Sequence, residues 1–280
     1  MLANKVRHSP QFLEASELSS ALAKALSVLE YLAYQPIGSA VSDISKSLDM
    51  PVSGVHRLLK ELETLGYVRQ VKGMGEYELT IKLASLGLAF LGQTGIGNIS
   101  QPILDELAKE TRELVRMSLA DNDELIWVGV SQGSTSGLRY EPGADQGKIV
   151  HLASSAGGQA WLAAMTDEEA IALVMKQGLL KQPDPGKDAP ATVAELLSVL
   201  NTVRENGYSV NANSYLDGMA AVAVPIKNPD TGKPIGAVSV AGPSVRVTNE
   251  VMQSYVAPLK KAAEALGEAS RATLYFSQRE

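Results

Sequence analysis

Between Ala40 and Tyr77 the chain reads AVSDISKSLDMPVSGVHRLLKELETLGYVRQVKGMGEY, and its punctuation leaves few ways to fold. A short helix is predicted from about Ser42, whose hydroxyl is suited to capping the first-turn amides. Ile44 and Leu48 supply its apolar stripe. Asp49-Met50-Pro51 breaks it, because a residue before proline is pushed out of the helical region. Pro51 suits the first position of a second helix. That helix carries Val55, Leu58, Leu59, Leu62 and Leu65 at the spacing of one buried face. Ser53, Gly54, His56, Arg57, Lys60 and Glu61 lie on the other. Gly66 is a left-handed C-cap in this reading. A strand over Tyr67–Val71, a turn through Lys72-Gly73-Met74-Gly75 and a returning strand over Glu76–Leu79 complete the unit. Helix, sharp turn, helix and hairpin, in that order, predict a winged helix-turn-helix, with one helix for the major groove and a wing for the backbone.

Charge qualifies that expectation. The net charge is −6. Residues 1–80 hold 8 Lys/Arg against 9 Asp/Glu, and residues 81–280 hold 17 against 22, so neither part is basic. A nonspecific polyanion binder is therefore disfavoured, and what counts is local clustering. Lys46, Arg57, Lys60, Arg69 and Lys72 all fall in the predicted reading head, where a merely solvated surface is the competing explanation. The absence of cysteine removes disulfides, thiolate metal sites and cysteine nucleophiles, and suits a reducing compartment. The N-terminal residues lack the apolar run of a signal peptide and no stretch approaches a membrane span, so a cytoplasmic protein without a membrane role is expected.

In order, residues 1–18 are expected to be a tail, with Lys5, Arg7 and His8 as its basic end. Residues 19–80 form the DNA-binding domain. Its first helix runs from about Ser19 to Tyr34 on a stripe of Leu22, Leu26, Leu29 and Ala33. Residues 81–96 are a linker and dimerisation helix; IKLASLGLAFL is apolar nearly all round, and a helix with no polar face needs covering, here by a partner subunit. Residues 97–280 form a second domain. It is expected to hold a helix from Pro102 to Leu114, with Ile103, Leu104, Leu107 and Ala108 inward. A hairpin over Val115–Ala120 and Glu124–Val130 turns at Asp121-Asn122-Asp123, and a short strand follows at Gly137–Tyr140. The small-residue run Ala153–Gly158 leads into a helix to about Met165. Helices are predicted near Asp167–Gln177 and Val193–Asn206, with the loop PDPGKDAP between them. Strands follow at Tyr208–Asn211, Ala220–Ile226 and Ile235–Val240, the last two joined through Pro229-Asp230-Thr231-Gly232. A long helix from Asn249 to Phe276, capped by Thr248, closes an α+β domain with a mostly antiparallel sheet. No internal repeat is present.

Three segments together resemble an IclR-type bacterial transcriptional regulator. Ala21–Ala33 with PVSGVHRLLKELETLGYV follows that family's Pro-x-Ser-x-Val-His-Arg-Leu-Leu signature. Ala153–Ala163 is its small-residue turn before a helix. GYSV, DGMAAVAVPI and GAVSVAGP within Gly207–Pro243 fall in its order and spacing. The resemblance implies a winged-helix DNA binder with a linker helix and a C-terminal GAF-like effector domain. It implies homodimers, or dimers of dimers, on double-stranded operator DNA of a catabolic operon, as repressor or activator. The implied effector is a small molecule, often a carboxylate, with aromatic acids among the candidates. No cofactor and no metal are expected.

Both lines place the DNA contacts at Ser53 and Gly54 at the helix start, at Arg57 and Lys60 further along it, and at Arg69 and Lys72 on the wing. Ser42 offers first-turn amides to a phosphate. His56 is either a contact or a packing residue. The family often has a basic or polar residue where Val52 stands and Thr where Gly54 stands.

For the effector, Ser154-Ser155-Ala156-Gly157-Gly158 opens a helix with accessible amides, although close helix–sheet packing needs the same residues. The resemblance maps pocket positions onto Ser154, Ser155, Asn211, Ala221 and Ser239, with Ala241 beside them. Asn211 replaces a carboxylate found in some members, Ala221 a frequent cysteine, and Ala241 a second serine. Met117, Leu152, Met219 and Val222 are expected as apolar wall, Arg116 and Arg139 as carboxylate partners, and Trp127 and Tyr215 as ring contacts.

An enzyme is the competing class. His151 with Ser154 or Ser155 and a carboxylate such as Asp217 would make a hydrolytic triad. No Gly-x-Ser-x-Gly elbow surrounds either serine, and no metal cluster, Walker loop or dinucleotide fingerprint is present. A purely structural DNA binder would leave the large second domain without a task.

Overall fold

The structure is a computed structural model and describes residues 20–71, 75–135, 137–140, 145–179 and 185–273, with backbone alone at 96–98. The tail over 1–18, the turn residues Lys72, Gly73 and Met74, the start of the PDPGKDAP loop and residues 274–280 lie outside the described residues; the last helix, expected to reach Phe276, ends at Ser270 with Arg271 as its C-cap. The chain forms two compact units that divide between Leu91 and Gly92.

The first unit holds helix α1 (Ala21–Ala33), strand β1 (Ser39–Ala40), helices α2 (Val41–Ser47) and α3 (Val52–Thr64), and strands β2 (Val68–Gln70) and β3 (Glu76–Leu79). The strands form an antiparallel sheet in the order β1-β3-β2. Val28, Leu29, Leu32, Ile44, Leu48, Val55, Leu58, Leu59, Leu62, Val68 and Tyr77 make one core. The Ser20 side chain caps α1 by accepting from the Ala23 amide. That helix buries Ser27, Val28, Leu29, Tyr31 and Leu32, whereas Leu22, Leu26 and Ala33 of the expected stripe are exposed. Tyr31 fixes the turn of the helix by placing its hydroxyl 3.2 Å from Ser39 Oγ.

Two caps also differ from expectation. Ala40, not Ser42, precedes α2, and no side chain caps it. Pro51 is the N-cap of α3 rather than its first residue. At the other end, Gly66 takes φ +78 as predicted. Its amide reaches Glu63 O and the Tyr67 amide reaches Leu62 O, the paired bonds of a Schellman motif. Leu65 is thereby turned outward and leaves the buried stripe.

Helix α4 (Lys82–Thr94) buries no residue. Gly95, at φ +76, separates it from α5 (Ile96–Thr111). Pro102, expected to open a helix, lies inside α5, because the left-handed glycine sets the start six residues earlier.

The second unit continues with β4 (Leu114–Asp121), β5 (Glu124–Gln132), α6 (Ala156–Ala163), α7 (Asp167–Gln177), α8 (Val193–Asn206), β6 (Ser209–Ala212), β7 (Met219–Lys227), β8 (Pro234–Pro243) and α9 (Asn249–Ser270). This is an α+β domain around a five-stranded antiparallel sheet ordered β5-β4-β8-β7-β6. The segment 137–140 is not a strand: Gly137 is left-handed, and the carbonyl of Tyr140 accepts from the Gln132 side chain instead of a strand partner.

The two faces of the sheet follow from its register. Asn211 opposes Ala221, Ala221 opposes Ala241, Ala223 opposes Ser239, and Ser239 opposes Arg116, so these residues share one face. Helix α6 lies against it, with Gly157 close to Ser118 Oγ and the Ala237 methyl. Val115, Met117, Val222 and Val240 point the other way, where Met117, Leu119 and Ile226 line a small apolar cavity with Leu266 and Ala269 of α9.

Gly158 brings α6 and the preceding turn together: a Cβ there would lie 2.4 Å from Leu152 O and 2.6 Å from Leu152 Cα. Helix propensity alone favours alanine over glycine, so Gly158→Ala tests which effect dominates. We expect a loss of about 1–3 kcal/mol in urea denaturation. Gly87→Ala in α4, where a Cβ meets nothing within 4 Å, should instead gain about 0.5–1 kcal/mol.

Candidate nucleic-acid interface and effector site

Helix α3 is two-sided. Val55, Leu58, Leu59 and Leu62 are buried, while Ser53, His56, Arg57, Lys60 and Glu61 are exposed and Gly54 is half-buried. No atom would meet a Cβ at Gly54 within 4 Å, so the start of the helix is open to approach. His56 is exposed on the outer side and is not part of the core of this unit. Ser42 is the exposed second residue of α2.

Two of the expected cations already have carboxylate partners. Lys60 Nζ lies 2.8 Å from Glu63 Oε2, and this hydrogen bond raises the lysine pKa and lowers that of the glutamate. Arg69 Nε, on β2, donates to Glu78 Oε1 on β3 at 2.6 Å. Arg57, Lys60, Glu61, Thr64 and Leu65 line an open concavity along α3. Lys72 lies outside the described residues.

In the second unit, one face of the sheet gathers most of the predicted effector residues. Arg116 is only 5% exposed. Its Nη1 donates to Asp145 Oδ2 at 2.7 Å, and its guanidinium carbon lies 4.7 Å from the Trp127 ring centre and 5.9 Å from that of Tyr215. These two rings meet edge to face at 5.6 Å. Burial pushes the Tyr215 hydroxyl up to about 12, with the Asp145 charge adding to the effect and Arg116 opposing it. Ala156 and Ala160 of α6, with Met219, Ala221, Ala223 and Ala241, form an apolar cluster against which Tyr140, Tyr215 and Leu216 pack.

Ser154, Ser155 and Asn211 serve the frame of this site. Ser155 caps α6 by accepting from the Gly158 amide at 3.0 Å. The Ser154 carbonyl accepts from Asn211 Nδ2 at 3.1 Å and from Ser214 Oγ at 2.8 Å. Ser239 Oγ donates to the Arg116 carbonyl at 3.4 Å.

Three of the four expected wall residues lie elsewhere. Met117 faces α9 on the opposite side of the sheet, as does Val222, because neighbouring strand positions alternate. Leu152 packs in an adjoining core with Trp161, Leu162 and Val174. Arg139 is exposed and donates to the Ser134 carbonyl.

Residues 21–72 match the model of the IclR helix-turn-helix domain, and residues 88–268 match that of the bacterial transcriptional regulator IclR C-terminal domain. The chain belongs to the IclR family. Its relatives include the HTH-type transcriptional repressor AllR of Salmonella typhimurium, 29% identical over 237 residues and 84% of each chain. AllR of Escherichia coli K12 is 28% identical over the same span. The Thermotoga maritima IclR structure is 27% identical, with a TM-score of 0.68 over 89% of this chain and 98% of that one. An IclR homologue from Microbacterium hydrocarbonoxydans, complexed with 4-hydroxybenzoate, shares the fold at 21% identity, with a TM-score of 0.73 over 91% and 100%.

An IclR-family chain is a DNA-binding transcriptional regulator and not an enzyme. The details of the imagined triad agree. His151 Nδ1 lies 2.9 Å from Ser154 Oγ, but its buried Nε2 meets no partner among the described residues. Burial lowers its pKa below the ordinary histidine value. Asp217 accepts instead from the Lys187 amide.

Sequence reasoning missed Asp145, Lys148 and Tyr140. Nothing in their local pattern announces that the stretch over 145–150 folds back along the edge strand β5. Backbone bonds make it do so: Trp127 N reaches Lys148 O, and Gly147 N reaches Trp127 O.

Proposed function

We propose that this chain is a ligand-responsive regulator of a catabolic operon that acts in the cytoplasm as a homodimer on double-stranded operator DNA. Its effector, a small organic acid, sits on the α6-facing side of the second unit's sheet. The observation that carries the DNA half is the two-sidedness of α3, with four buried aliphatic side chains opposite a row of exposed Ser53, His56, Arg57 and Lys60. In this reading Ser53, Gly54, His56 and Arg57 meet base edges or nearby phosphates. Lys60, Arg69, Lys72 and the first-turn amides at Ser42 hold the backbone. The effector half rests on Arg116, Met219, Ala221 and Ser239 sharing one face of the sheet with Tyr215 packed on that side, framed by Ser154, Ser155 and Asn211. The fold shared with a homologue that holds 4-hydroxybenzoate supports an organic acid.

Helix α4 supports the dimer. Leu83, Leu86 and Leu88 are exposed on it, and an apolar helix that buries none of its residues is the expected form of a surface that meets a second copy. The effector acts through its different affinity for two arrangements of the dimer, and it shifts their balance by no more than that difference.

Three measurements test this. On an operator fragment selected from a random duplex pool, Arg57→Ala should weaken binding by about 1–3 kcal/mol while leaving effector affinity unchanged; equal loss of both would contradict the division of labour. Glu78→Gln should work in the opposite direction, tightening binding by about 0.2–1 kcal/mol by releasing Arg69 to a phosphate. Leu88→Glu should move the protein from dimer toward monomer in sedimentation, and an unchanged dimer would remove α4 from the interface.

A further inference from the structure

A guanidinium presents a carboxylate with a bidentate edge formed by Nε and Nη2. On Arg116 this edge is unused. Nη1 is held by Asp145, but Nε meets no acceptor among the described residues, and Nη2 has only the Met219 sulfur at 3.8 Å. A thioether is a weak acceptor, and a buried donor without a partner is costly. The same chain shows the edge in use: Arg246 directs Nε and Nη2 to the two carboxylate oxygens of Glu113.

The charges around Arg116 point the same way. Asp145 is shared between Arg116 and Lys148, whose Nζ lies 3.9 Å from Oδ1. Asp145 is therefore not given to Arg116 alone. The remaining surroundings are apolar: the Trp127 and Tyr215 rings, the Met219 thioether and the alanine methyls of α6, β7 and β8.

We propose that the Nε–Nη2 edge of Arg116 is the anchor for the carboxylate of a monoanionic effector. The carboxylate takes both N–H groups and replaces the thioether contact, and the apolar body of the ligand lies against Tyr215 and the alanine wall. This rests on reading the chain as an effector-responsive regulator, and it adds the charge and chemical class that the site accepts. A neutral amide of the same shape offers one oxygen where the edge requires two. A dicarboxylate brings a second charged group against rings and methyl groups, where burying it is costly.

The test is calorimetric titration of the full-length chain with pyruvate, hexanoate and benzoate, each beside its amide, and with phthalate as the dicarboxylate. At least one monocarboxylate should bind about tenfold more tightly than its amide, with phthalate weaker than benzoate. Arg116→Gln, checked for a cooperative melt, should abolish the preference for acid over amide. Should that variant fail to fold, Asp145→Asn serves: removing the internal anion should tighten the preferred acid several-fold. The anchor is overturned if no acid outcompetes its amide, if Arg116→Gln keeps the preference, or if Asp145→Asn weakens the acid.

Operator release, measured in parallel, separates this from the wider reading. A neutral compound that releases the operator while no acid binds would remove the anchor alone. Acids that bind through Arg116 without altering the operator complex would remove the effector role and leave the anchor.

Discussion

The second unit depends on how closely α6 approaches the sheet. Glycine at 158 lets the turn through Leu152 close on the start of the helix, and a buried set of hydrogen bonds fixes the helix to the sheet. Gln159 accepts from Ser209 Oγ on β6 at 2.8 Å and donates to the Ala153 carbonyl at 2.9 Å. Asn211 and Ser214 close on the Ser154 carbonyl from the same side. Each of these polar groups would be costly to bury alone, so the corner holds as a set. With it in place, small residues must line both sides of the gap, which explains why alanines face one another across it and why a large cation such as Arg116 enters from β4 at its side.

This frame gives new roles to residues whose counterparts differ in the family. Where some relatives carry a carboxylate, Asn211 is here a structural donor. Where a cysteine or a second serine is frequent, Ala221 and Ala241 contribute only methyl groups.

Much of the fold was legible because each element announces itself within a few residues. The leucine spacing of α3, Gly66 at its end, Asn122 at the β4–β5 turn, with φ 54, and Thr248 before α9 are local signals. The site was legible only in part. Strands β4, β7 and β8 are buried on both faces, so they show none of the alternation that separates one side from the other; Met117 was therefore placed beside Arg116 rather than behind it. Asp145 lies 29 residues from Arg116 and meets it through a connection with no regular pattern. Leu22 and Leu26 looked like core because leucine spacing does not reveal that a tyrosine, Tyr31, sets the rotation of α1.

The carboxylates beside Lys60 and Arg69 have a further consequence. A phosphate that reaches either cation must displace a glutamate, and the freed glutamate gathers its own counterions. Fewer ions are then released overall than the number of basic residues at the surface would suggest, and attraction to DNA changes less steeply with ionic strength than for a bare basic patch. A regulator whose basic residues are paired in this way would keep more of its grip on DNA as ionic strength rises.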